Sequence, residues 1–102
     1  NFSTETSQTI LIKYAKDSEA NHQTLEKIFK PEAGFGKVTK INSQDGIRIS
    51  FAGGDIAHVR PSGNAPQLRI YSVANSQKRA DEIIALALAE PNGILRQLEA
   101  MT

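Results

Sequence analysis

Ile47-Arg48-Ile49-Ser50-Phe51-Ala52-Gly53-Gly54-Asp55-Ile56-Ala57-His58-Val59-Arg60 is the stretch, residues 47–60, on which the fold turns. Ile47, Ile49 and Phe51 alternate with Arg48 and Ser50, the period of two that marks a half-buried strand. Gly53-Gly54-Asp55 reverses the chain. Residues 56–60 then alternate again, with Ala57 and Val59 opposite His58 and Arg60. Upstream, Asp45-Gly46 is a strong turn signal, and residues 37–41 before it form a short strand. Downstream, the loop from Pro61 to Pro66 leads into a last strand over residues 68–74. Strands joined by such short turns must run antiparallel.

Working outward, residues 9–14 also alternate, with Ile10 and Ile12 on one side and Leu11 and Lys13 on the other, and predict a further strand. The polar, Ser/Thr-rich residues 1–8 read as the end of a linker. Asp17 and Ser18 are N-cap residue types. Leu25, Ile28 and Phe29 follow at helical spacing, with Pro31 and Gly34 closing the helix. Asn75 or Ser76 caps a second helix whose apolar stripe is Ala80, Ile83, Ile84, Ala87 and Leu88. Pro91-Asn92-Gly93 interrupts it, and a short last helix carries Ile94, Leu95 and Leu98. The expectation is an α+β domain over residues 9–102: an antiparallel sheet of about four strands with two or three helices packed on one face.

Composition narrows the function. The 102 residues suffice for one domain. With no Cys, the chain holds no disulfide scaffold, no Cys-ligated zinc and no thiol nucleophile. A net charge of +1 argues against a dedicated nucleic-acid binder. No apolar run approaches the roughly 20 residues of a membrane span, and no secretory signal opens the chain. A cytoplasmic protein without membrane or nucleic-acid partners is expected. The chain begins at Asn1 rather than Met, which we read as a fragment of a longer polypeptide.

The most informative loop is Arg60-Pro61-Ser62-Gly63-Asn64-Ala65-Pro66-Gln67-Leu68-Arg69. Two arginines, whose planar donor forks match phosphate oxygens, bracket the small hydrogen-bonding residues Ser62, Gly63 and Asn64. Gly63 lets a ligand approach the backbone and admits unusual dihedrals. Pro61 and Pro66 restrict the open loop, and successive N–H groups in such a turn form anion nests. The same residue types also make ordinary surface turns, so spacing alone leaves both readings open.

The segment from Arg60 to Tyr71 resembles the phosphate-binding signature of the α-D-phosphohexomutases, whose last domain carries RxSGTEPxLR or RPSGNAPxLR. Asn42-Ser-Gln-Asp-Gly-Ile-Arg48-Ile-Ser-Phe51 is similar to that family's DGIRI or DGVRV strand, and the likeness covers roughly residues 9–90. It implies the TATA-box-binding-protein-like fold of the phosphoglucomutase C-terminal domain. It also implies substrate phosphate binding by Arg60, Ser62, Gly63, Asn64 and Arg69. Asn64 stands where most members have Thr. Ala65 stands where many have Glu, which points toward the phosphomannomutase variant; phosphoglucomutase and phosphoglucosamine mutase are the alternatives. Val73 stands where relatives often carry Glu, so an ion pair there is lost.

Enzymes of that family are intramolecular phosphotransferases that interconvert hexose 6-phosphates and 1-phosphates, with a phosphoserine and Mg²⁺ in other domains. The resemblance therefore implies a parent enzyme that binds a hexose phosphate and whose other domains are this chain's partners. The chain itself carries no catalytic residue and no metal ligand set, since Asp17, Asp45, Asp55 and Asp81 are scattered. Its task would be to hold the non-reacting phosphate. Four charge-assisted bonds at roughly 1.5–3 kcal/mol each, set against about 4–15 kcal/mol of association entropy, predict weak binding by the domain alone.

Among other residues, His58 shares strand parity with Arg60, as Arg48 does. We read His58 as a sheet-face residue without chemistry, and His22 as a packing residue on its helix. The competing class is a free-standing anion- or nucleotide-binding module with an open sheet face. Near-neutral charge and the lack of paired exposed aromatics speak against it.

Overall fold

The computed structural model describes residues 2–63 and 65–101. Two helices lead: α1 (Thr4–Tyr14) and α2 (Glu19–Ile28), followed by a single 3-10 turn, Pro31–Ala33. Strands β1 (Val38–Asn42), β2 (Ile47–Phe51), β3 (Ile56–Pro61) and β4 (Leu68–Val73) form the sheet, and α3 (Gln77–Leu88) and α4 (Ile94–Ala100) complete the chain. The sheet is an antiparallel meander in the order β1-β2-β3-β4. The α+β expectation holds.

One element differs. Residues 9–14, expected as a strand, lie within α1. Ser3 accepts the amide of Thr6 as its N-cap, and Ser7, Ile10 and Tyr14 fall on one buried stripe. Ile12, the alternation's other member, is 77% exposed. The local alternation was real but the helical period won, because a cap and a stripe of contacts agree along the whole segment. The lead-in is correspondingly less loose than its composition implied: Phe2 is buried, and its amide donates to the Pro66 carbonyl at 2.9 Å.

The junction of the first two helices accounts for its own polar groups. Ser18 caps α2 by accepting the Asn21 amide. The Asn21 side chain donates to the carbonyl of Lys13 in the last turn of α1 and to that of Lys16, which also accepts from the Ser18 amide. Asp17 accepts from the Ile41 amide and from His22, and Glu26 accepts from the Val38 amide. These two carboxylates satisfy donors along the outer edge of β1, where exposed N–H groups would otherwise invite another strand.

All helices cover one face of the sheet. Ile41, Ile47, Ile49, Phe51, Ala57, Val59 and Leu68 point into a single core with Ile10, Tyr14, Leu25, Ile83 and Leu98. Phe29, Phe35 and Phe51 form a trio with ring centroids 5.0–5.2 Å apart, a geometry that favours tilted aromatic contact. Arg79 on α3, capped by Ser76, lies 4.7 Å above the Phe35 ring. It donates to Asp55 and to the Ala33 carbonyl, and also reaches Glu82. This side chain ties the β2–β3 turn to α3. The opposite face of the sheet, carrying the residues of the other parity, is left open.

Candidate functional site

Register decides what the open face presents. Arg60 pairs directly with Arg69 across β3 and β4, and Arg48, His58 and Tyr71 form the adjoining row across β2, β3 and β4. Lys40 shares the face through its pairing with Ser50. Strand parity thus gathers Arg48, Arg60 and Arg69 at one end of the sheet, where the loop of residues 62–67 connects β3 to β4, while Lys40 lies further along the face.

Two like charges facing each other across an antiparallel pair repel. The structure offers little relief. Arg60 Nη2 lies 3.1 Å from Asp45 Oδ2, with both side chains substantially exposed, and the guanidinium sits 5.7 Å over the Tyr71 ring. Among the described residues this is the one ion pair made by any of these cations; Arg48 and Arg69 have none. The arginines are neither splayed to opposite faces nor locked into buried carboxylates. By register they share one face at the end of the sheet where the loop is attached, with more positive than negative charge.

The loop is closed by its own backbone. The Ser62 amide donates to the Gln67 carbonyl at 2.9 Å and the Gln67 amide to the Ala65 carbonyl at 2.8 Å. A nest built on consecutive amides is therefore reduced, because the Ser62 donor is committed to holding the loop shut. Gly63 and Ala65 donate to none of the described residues. Gly63 is exposed and does not adopt a left-handed backbone, contrary to the expectation of unusual dihedrals. A Cβ there would meet nothing within 4 Å, so its open surroundings, rather than a strained φ, leave room for a ligand. Ser62 is half-buried at the base of the loop. Asn64, the remaining expected contact, lies outside the described residues.

Two residues of this site escaped sequence reading. Asp45 was legible only as a turn residue. Its neighbour Gly46 has φ +66°, and a Cβ there would lie 2.2 Å from the Val59 carbonyl oxygen. Only glycine lets the β1–β2 turn lie so close against β3, and that approach carries Asp45 to Arg60. His58 Nε2 lies 2.6 Å from the Asp45 carbonyl; a carbonyl only accepts, so the ring nitrogen carries the proton and donates. His58 thus braces the turn. Tyr71 was seen only as the end of a motif, yet its ring lies beneath Arg60. Its signal was the register, since residue 71 faces residue 58 two places from Arg60. His22 is tied to Asp17 rather than to any site.

The Mg²⁺ implied by resemblance does not fit this chain: among the described residues no three His, Cys, Asp or Glu side chains gather to hold a metal ion. Among them, no helix is long and apolar enough to cross a membrane.

Comparison with known proteins agrees with this architecture. Residues 11–90 match the family model for the phosphoglucomutase/phosphomannomutase C-terminal domain. The chain is 39% identical over 82 residues to a phosphomannomutase of Sinorhizobium fredii, covering 80% of this chain and 16% of that protein. It is 41% identical over 68 residues to a phosphomannomutase of Salmonella muenchen, covering 65% and 14%. A phosphopentomutase of Thermococcus kodakarensis is 29% identical over 63 residues, covering 62% and 14%. The chain spans about a sixth of the length of the first of these relatives. With the matched segment running from α1 through the whole sheet to the end of α3, the chain belongs to the phosphoglucomutase/phosphomannomutase family, as a C-terminal domain of that family.

Proposed function

We propose that this domain grips the non-reacting phosphate of a hexose phosphate within a phosphomannomutase-type enzyme, through Arg60, Ser62, Gly63, Asn64 and Arg69. The observation that carries the proposal is the Arg60–Arg69 pair: two arginines directly opposed in register on an open face, with one exposed carboxylate, Asp45, beside Arg60. A phosphate dianion placed across both would convert their repulsion into charge-assisted hydrogen bonding. The open surroundings of Gly63 and the uncommitted amides of Gly63 and Ala65 support the same reading, because they leave space and donors beside the guanidiniums.

Such a clamp suits a mutase. It reads phosphate and not sugar, so it accepts the same substrate by either end. Holding that phosphate fixes the other end of the sugar toward a nucleophile on the remaining domains and makes the transfer effectively intramolecular. Binding energy far from the reacting atoms is thereby used at the reacting centre. The name phosphomannomutase on two relatives and the neutral Ala65 favour mannose phosphates. A cytoplasmic setting fits the cysteine-free composition.

The test is Arg60→Ala in a full-length enzyme carrying this domain. Mutase kcat/KM should fall at least about tenfold, the loss expected when one charge-assisted bond is removed, while the domain keeps its thermal transition. An unchanged kcat/KM removes Arg60 from the site.

A further inference from the structure

The turn at residues 43–46 belongs to the site in a way that the phosphate reading does not explain. Asp45 brings a negative charge to Arg60, at the spot where an incoming phosphate would need that guanidinium. Chance placement is a poor account of this. Gly46 must lie against the Val59 and Arg60 backbone for the turn to reach so far, and His58 fastens the turn through the Asp45 carbonyl. Two independent contacts thus hold the main chain of Asp45 beside the arginine. Its carboxylate stays free to swing, since the Asp45 side chain is 62% exposed and makes one contact with Arg60, through Nη2.

We propose that Asp45 is the resident counter-anion of this site, and that phosphate binds by exchange with its carboxylate. The inference rests on the phosphate reading above and assigns a regulating residue to that same site. In the empty domain the carboxylate occupies Arg60 and offsets part of the repulsion from Arg69. A phosphate dianion, with more charge and three acceptor oxygens, displaces it and bridges both arginines. The carboxylate then stands ready to retake Arg60 as the phosphate leaves. Asp45 therefore holds the affinity below what the arginines alone would give, as a group that must release a phosphate at each turnover requires. The charge count is consistent. Arg48, Arg60 and Arg69 against Asp45 leave two positive charges at this end of the face, matching a dianion.

The experiment is a titration of the 102-residue chain with inorganic phosphate at pH 8, followed by NMR of backbone amides and of the arginine Nε–H groups. It uses the wild type, Asp45→Asn and Arg69→Gln. Asn keeps the shape of the turn and the backbone carbonyl that His58 uses, and removes only the charge. Asp45→Asn should bind phosphate about two- to fivefold more tightly, the range that loss of a competing surface ion pair gives. In the wild type, the Arg60 Nε–H and the Asp45 carboxyl carbon should shift together on the same binding curve. Equal or weaker binding by Asp45→Asn, with wild-type shifts intact at residues 60–69, overturns the inference and leaves the phosphate reading standing. No response at residues 60–69 in the wild type, up to high millimolar phosphate, overturns both.

Discussion

Replacing Arg69 by Gln should move stability and binding in opposite directions. Arg69 faces Arg60 directly across the β3–β4 ladder and has no carboxylate partner among the described residues. Like charges in that position destabilise a sheet by about 0.2–1 kcal/mol. Removing one should therefore raise the melting temperature by about 1–8 °C, at roughly 4–8 °C per kcal/mol for a domain of this size. The gain should vanish near 1 M salt, where screening acts within about 3 Å. Binding should respond the other way. A lost charge-assisted hydrogen bond is worth about 1.5–3 kcal/mol, and the exposure of Arg69 argues for the lower end, so phosphate affinity should fall by about tenfold. Thermal unfolding followed by circular dichroism at low and high salt, together with a phosphate titration of the same samples, measures both. A variant that is less stable and yet binds phosphate as the wild type does would refute the reasoning, since Arg69 would then be a structural residue and not a ligand-bearing one.

Three further outcomes are expected. Gly46→Ala should cost roughly 2–4 kcal/mol in urea denaturation, because it combines a left-handed backbone with a Cβ lying 2.2 Å from the Val59 carbonyl oxygen; the Asp45–Arg60 pairing should be lost with it. Phe29→Ala should destabilise by about 3–5 kcal/mol, as it removes one ring of the aromatic trio from a side chain only 1% exposed. The hydrogen bond from His22, aided by the Ile41 amide, holds the Asp17 carboxyl below its ordinary range. A depressed carboxylate stabilises the fold above its unfolded value of about 3.9, and that contribution is lost as pH falls through the lower folded value. Asp17→Asn should accordingly flatten the acid limb of the stability profile below about pH 4, read as urea midpoints across pH.

The strands and the last three helices could be read from the sequence because each rests on local agreement. At β2 and β3, alternation, turn glycines and β-branched residues point the same way, and Ser18 and Ser76 cap the helices that follow them. Residues 9–14 misled because Ile10, Leu11 and Ile12 satisfy the strand pattern over a short window. The deciding signals, the Ser3 cap and the burial of Ser7 and Tyr14, lie at the ends of the segment. The site was half legible. Parity alone placed Arg48, His58 and Arg60 on one face, and the loop motif marked Arg69. The part played by Asp45 was not readable, because it depends on how far a glycine lets one hairpin turn press against the next strand. That is a property of packing between elements, and no period within one segment records it.

The central claim is that the arginine-flanked end of the open face takes up a phosphate group, and titrating the chain with mannose 1-phosphate tests it most directly. Amide and guanidinium resonances of residues 60–69 should shift together along one saturable curve, in the millimolar range expected of four charge-assisted bonds set against the entropy of association. Shifts confined to other parts of the molecule, or none at high millimolar ligand, would contradict the claim.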